Sequence, residues 1–196
     1  GDPTPGGGSA SAYGAAMAAS LVAMVGRVTV GKSKYADVEA EMWTMIEDAS
    51  QLQGEMREAV EKDAEAFEAY MEARRLPRDT EEQKAVRSKA IQEASINAAA
   101  VPLLVAKKAL EIMRLALKAA ELGNVNAISD AGTASALARA AMTGAGLNVR
   151  INLLGVENEP EPGKMLDELK TLEGQAETLR YSLHQVLNER GGLNLT

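Results

Sequence analysis

Apolar positions along this chain fall on helical rather than strand spacing. Met56, Val60, Phe67, Tyr70 and Met71 recur at helical-turn steps, the pattern of one buried helix face. Asp63 interrupts that stripe. The same reading predicts an Ala-rich helix from about Ser9 or Ser11 that fades by Gly31, and a long one from about Tyr35 to Arg75, with Gly54 as its weak point. Leu76-Pro77 stops the long helix, and Thr80-Glu81-Glu82-Gln83 has the capping-box spacing that starts the next. That helix is expected to run to Pro102, which either opens a new segment or kinks a continuous one, and the following segment ends at the C-cap signal Gly123-Asn124. Ser129 or Asp130 then caps an Ala- and Gly-rich helix to about Leu154. A Pro160 to Gly163 loop precedes the last helix, from about Met165 to Glu189, which Gly191-Gly192 ends. Only 27–30 and 147–154 carry enough β-branched residues to suggest strands. The fold class is therefore all-α, a single-domain bundle of about five to six helices, two of them long.

Composition sharpens this picture. The 196 residues suit one well-filled domain; 46% are hydrophobic but only 3% aromatic, so Ala, Leu, Val and Met must form the core. Alanine at that density brings helix axes close together. Residues 10–26 carry no charge, yet the run is short for a bilayer and rich in Ala, Gly and Ser, which predicts a buried helix rather than a membrane span. No basic start precedes it, so no signal peptide is expected.

Charge and missing residue types narrow the chemistry. A net charge of −7 argues against sequence-independent nucleic-acid binding. The chain has no cysteine and one histidine, His184, which excludes disulfides, thiolate chemistry and zinc ligation by several His and Cys side chains. No metal or nucleotide is expected, and the cysteine-free composition fits the cytoplasm. His184 reads as a half-exposed residue of the last helix.

Asp63 is the strongest chemical candidate. Burial disfavours the charged form of a carboxylate, which is how an acid or base is tuned toward neutrality; it is equally how a structural Asp comes to hold a basic residue or a helix end. Gly6, Gly7 and Gly8 ahead of a helix can bring backbone N–H groups near an anion, or form a flexible tail. Asn148 and Asn152 share one face of their helix, where they could read a heterocycle edge or bond a neighbouring helix. Asp130 reads as an N-cap, and Lys32 and Lys34 as either carboxylate partners or a solvated turn.

Several of these segments occur in an order that resembles a known family. They are Pro3-Thr4-Pro5-Gly6-Gly7-Gly8-Ser9, Val30-Gly31-Lys32-Ser33-Lys34-Tyr35, the stretch from Asp63 to Phe67, and Arg75-Leu76-Pro77-Arg78. Ala100-Val101-Pro102-Leu103, Gly123-Asn124-Val125-Asn126 with Ser129-Asp130, and Asn148-Val149-Arg150-Ile151-Asn152 continue the match over nearly the whole chain. Together they resemble the cyclodeaminase/cyclohydrolase family of folate enzymes. The resemblance implies a homodimer with a tetrahydrofolate derivative bound near the subunit contact. It implies methenyltetrahydrofolate cyclohydrolase activity, with Asp63 as general acid/base. Formiminotetrahydrofolate cyclodeaminase activity, releasing ammonia, is the alternative, and a non-catalytic folate-binding or helical interaction protein is the second.

By the same resemblance Gly6, Gly7, Gly8, Ser9, Lys32, Lys34 and Tyr35 line the folate groove, a lysine pairing the glutamate tail. Asn124, Asp130, Asn148 and Asn152 are their neighbours. Ser33 departs from the basic residue that many relatives carry, which argues against strong polyglutamate binding. The short helix expected upstream of the glycines is absent from this sequence.

Overall fold

Five α-helices make the fold in the computed structural model, which describes residues 6–156 and 159–195. They are α1 (Gly7–Arg27), α2 (Glu39–Arg75), α3 (Glu81–Leu122), α4 (Ile128–Asn152) and α5 (Pro160–Gly191). The two longest, α2 and α3, have 37 and 42 residues. No strand occurs among the described residues; 27–30 forms a turn and 147–154 is helix followed by turn. The Pro3-Thr4-Pro5 part of the turn-rich segment lies outside the described residues.

α1 is the helix that organises the rest. It packs against α2, α3 and α4. Ala12, Ala15, Ala18, Ala19, Val22 and Val25 are fully buried along it, so one long face of it is spent inside a protein core. α2 and α4 both run antiparallel to it: Gly8 meets Asp63 and Gly26 meets Ile46 on α2, while Gly7 meets Asn148 and Gly14 meets Ala141 on α4. Alanines supply much of the core, as the composition requires.

Several helix boundaries differ from expectation. α1 starts at Gly7 and ends at Arg27, followed by a turn in which Gly31 has φ 74°. A 3-10 segment, Ser33–Val38, precedes α2, and Gly54 does not break it. α4 begins at Ile128 behind a 3-10 turn, Val125–Ala127, that Asn124 caps by accepting from the Asn126 N–H. Neither Ser129 nor Asp130 is the cap: Asp130 lies within the first helical turn, where its charge still suits the helix dipole. Pro160 to Gly163 is the first turn of α5 rather than a loop, because proline at the start of a helix forfeits no intrahelical bond.

Pro102 sits inside α3 without ending it. A mid-helix proline leaves the carbonyl four residues earlier without its donor. Here that carbonyl belongs to Ala98, and Asn152 Nδ2 of α4 donates to it at 2.9 Å. The helix stays continuous because a side chain 54 positions away replaces the missing bond.

Beyond Ala59 the core thins. α2 has only Ala73 buried after that point, and α3 has nothing buried before Ala98. The two stretches form a helical arm. Its tip carries the expected capping box, Gln83 N–H to Thr80 Oγ1 at 3.1 Å and Thr80 N–H to Gln83 Oε1 at 3.2 Å. Arg87 ties the arm together by donating to the Arg74 carbonyl.

Candidate active site

Asp63 stands at the root of this arm, half-buried, with its carboxylate against the first turn of α1. The contact is close: a Cβ added to Gly8 would lie 2.1 Å from Asp63 Oδ1 and 2.6 Å from its Cγ. Only glycine lets the carboxylate occupy that space. Ser9 Oγ donates to Asp63 Oδ2 at 2.9 Å, whereas Oδ1 accepts no hydrogen bond among the described residues. The first intrahelical bond of α1, Ala10 N–H to Gly6 carbonyl, leaves the earlier N–H groups of that turn without helical acceptors. Negative charge is favoured at such a helix start.

A cavity of about 290 Å³ opens beside the carboxylate, lined by Gly6, Gly7, Gly8, Asp63, Phe67, Tyr70, Ala98, Asn148, Ile151 and Asn152. The two carboxamides do share this face. Asn148 Nδ2 donates to the Gly144 carbonyl at 2.9 Å, and Asn152 Nδ2 is engaged with Ala98. Phe67 and Tyr70, which the periodicity assigns to the core, are half-buried walls of the cavity instead. Their role follows from the thinning of the core past Ala59, so the same apolar stripe that packs at Met56 is left to face the cavity at Phe67. The chain's one Phe lying one helical turn beyond Asp63 was the available signal.

The remaining expected site residues gather elsewhere within the chain. Lys32, Lys34, Tyr35, Asn124 and Asp130 lie around the far end of α1, about 30 Å away for a 21-residue helix. Asn124 is 5% exposed and fully engaged: its N–H donates to Thr29 Oγ1 at 2.8 Å and its Nδ2 to the Val28 carbonyl at 3.0 Å. Tyr35 Oη accepts from the Val125 N–H at 3.0 Å. That bond lowers the Tyr35 pKa from its ordinary value, with Lys34, Arg190 and Lys32 adding to the effect and burial opposing it. Arg190 of α5 donates to the Ala120 carbonyl at 2.7 Å and to that of Gly123, completing the end of α3. Gly123-Asn124-Val125-Asn126 is thus a joint between helices.

A larger groove, about 490 Å³, lies between α4 and α5 and includes Arg139, Arg180 and His184. Arg139 and Arg180 both bond Glu177, which lowers the Glu177 pKa, the Arg180 hydrogen bond first and the Arg139 bond next. No carboxylate faces that groove among its lining residues. The smaller cavity is bordered by the Asp63 carboxylate, whose Oδ2 accepts from Ser9, and by two aromatic walls. No group of three or more candidate metal ligands occurs among the described residues.

The sequence profile of the family described as Formiminotransferase-cyclodeaminase matches residues 1–171. The chain belongs to the formiminotransferase-cyclodeaminase family. Within that family it is 40% identical to a methenyltetrahydrofolate cyclohydrolase of Methylorubrum extorquens, over 96% of this chain and 90% of the relative. It is 34% identical to the formimidoyltransferase-cyclodeaminase of Sus scrofa over 89% of this chain, which spans 32% of that longer protein. The crystal structure of formiminotetrahydrofolate cyclodeaminase from Thermotoga maritima superposes with a TM-score of 0.86 at 33% identity, covering 95% of this chain and 89% of that one. The formiminotransferase-cyclodeaminase fold accordingly extends over all five helices.

Proposed function

We propose that the protein is a methenyltetrahydrofolate cyclohydrolase that interconverts 5,10-methenyltetrahydrofolate and 10-formyltetrahydrofolate. The observation that carries this reading is the Asp63 carboxylate, held through Oδ2 by Ser9 and bordering the cavity walled by Phe67 and Tyr70. The 40% identity to a cyclohydrolase along nearly the whole of both chains favours hydrolysis over deamination. Asp63 takes a proton from the water that attacks the cationic amidinium carbon. A tetrahedral carbon between N5 and N10 results. Asp63 then returns the proton to N5 as the C–N5 bond breaks, and the hydroxyl on the tetrahedral carbon releases its remaining proton to solvent as the C=O forms, leaving the formyl group on N10. The carboxylate charge also favours the cationic substrate over its neutral product, and the two aromatic rings suit a flat heterocycle. A cavity of about 290 Å³ has room for the fused-ring head, with the tail passing over the exposed Ile151 side.

Cyclodeamination is the second reading, because the Thermotoga maritima structure that superposes so closely is a cyclodeaminase. It would use the same carboxylate, with ammonia leaving the tetrahedral carbon. Following methenyltetrahydrofolate absorbance, corrected for spontaneous hydrolysis, tests the first reading: Asp63→Asn should lower the enzymatic rate by roughly 10² to 10⁴. No acceleration by wild type, with ammonia released from formiminotetrahydrofolate, would establish the second. Folate binding without either reaction would make the protein a binding module. Activity is expected to persist in a metal chelator.

The active form in this reading is a homodimer. α1 carries no charged residue between Gly7 and Gly26, yet Tyr13 and Met17 on it are 53% and 59% exposed. An apolar ridge of that kind on a water-soluble bundle suits a second copy. Two copies of α1 crossing antiparallel at Met17, its midpoint, would bring Lys32 and Lys34 of one beside the Asp63 end of the other. That arrangement would reunite the two groups of site residues that one chain keeps apart. Sedimentation should find a wild-type dimer and a Met17→Lys monomer; a wild-type monomer with full activity would overturn it.

A further inference from the structure

We infer that Ser9 is a positioning residue for Asp63 rather than a ligand of the substrate: it fixes one carboxylate oxygen so that the other does the chemistry. The inference rests on the acid/base reading of Asp63. Ser9 is 1% exposed, so its side chain lies behind the carboxylate and not on the cavity surface. A serine hydroxyl has a single hydrogen, and this one is given to Oδ2 at 2.9 Å. It has no second hydrogen for a substrate atom.

Asp63 needs such a restraint because packing does not provide one. The terminal torsion of an aspartate is broad, and α2 has left the core by this point, with Ala59 the last buried residue before Asp63. Gly8 supplies a flat wall for the carboxylate to lie against, its would-be Cβ being 2.1 Å from Oδ1 and 2.7 Å from Oδ2. A wall limits approach but does not choose between the two oxygens. The Ser9 bond chooses, being directional and charge-assisted. Gly8 and Ser9 are buried on the central helix of the bundle, so they lend its rigidity to a group at the root of the arm.

Ser11 provides the comparator. It is also a buried serine on α1, but its hydroxyl donates to the Gly7 carbonyl at 2.8 Å and does not touch Asp63.

The test is a double-mutant cycle on methenyl hydrolysis with Ser9→Ala, Asp63→Asn and the pair, alongside Ser9→Thr and Ser11→Ala. Misplacing a reacting group by about 1 Å costs on the order of 10² in rate, so Ser9→Ala should lose roughly that in kcat with KM within about twofold. Ser9→Thr, which keeps the hydroxyl, should recover most of the loss, and Ser11→Ala should turn over like wild type. In the Asp63→Asn background, Ser9→Ala should change the residual rate by less than about twofold, because the two act as one unit. Ser9→Cys, of similar shape but a poor donor, repeats the cycle should the alanine variant unfold. A loss confined to KM, a kcat loss that adds to that of Asp63→Asn, or unchanged kcat would overturn the inference while leaving the functional reading standing. A wild type inactive on both folate substrates would overturn both.

Discussion

The two ends of α1 carry similar sequence signals and do different work. At its start, Gly8 and Ser9 press on a carboxylate that borders an open cavity. At its end, Thr29, Tyr35 and Asn124 exchange hydrogen bonds until little polar capacity remains. Polar residues clustered at a helix end therefore do not by themselves mark a site. What separates the ends is what the hydrogen bonds leave over: at the far end they close a joint between helices, while at the start Asp63 Oδ1 accepts none among the described residues and the carboxylate borders a cavity.

A matched pair of glycine substitutions tests that contrast most directly. In Gly8→Ala the new Cβ meets the tip of a movable side chain, Asp63, at 2.1 Å. The carboxylate can swing away, so folding should change little while kcat falls about 10²-fold or more. In Gly123→Ala the Cβ meets the Ala119 carbonyl at 2.5 Å and Val25 at 2.9 Å, and backbone cannot swing away. That variant should lose about 1–3 kcal/mol of stability in urea unfolding and keep its kcat while folded. Equal losses of activity in the two would erase the distinction between the ends.

Asn152 offers a finer probe, since it belongs to both kinds of structure at once. Asn152→Ala leaves the Ala98 carbonyl without the donor that Pro102 also denies it, at a cost of about 1–3 kcal/mol. Adding Pro102→Ala restores a backbone N–H and should return most of that stability. Activity should not return with it if the carboxamide also serves the cavity it lines. A double variant with no recovered stability would show that the side chain was not replacing the proline's bond.

Most of the fold was legible because its signals are local. The Thr80–Gln83 capping box, the stop at Leu76-Pro77 and the glycine end of α5 each depend on residues a few positions apart, and each is realised. Continuity through Pro102 was not, because its remedy sits on α4. Asn124 was legible as a helix boundary but not as the partner of Val28 and Thr29, which are 96 and 95 positions away. Asp63, Gly8, Asn148 and Asn152 line one cavity, a grouping that helical spacing alone does not imply, because they come from three different helices. Helical spacing alone assigns Phe67 and Tyr70 to the core, since it reports which face a residue occupies and not where the opposing helix stops. Lys32 and Lys34 could not be placed against Asp63 within one chain, because a straight helix holds the segments apart.

The thinning of the core past Ala59 has a consequence for how the protein breathes. Opening free energies track buried contacts, so amides of the arm should exchange with solvent well before those of α1. Asp63 lies on the seam between these two regimes, with Ser9 on the slow side and Phe67 and Tyr70 on the fast side. Brief melting of the arm would therefore dissolve the aromatic walls and carry the carboxylate off its anchor together, giving bound product a way out while the rest of the bundle stays folded.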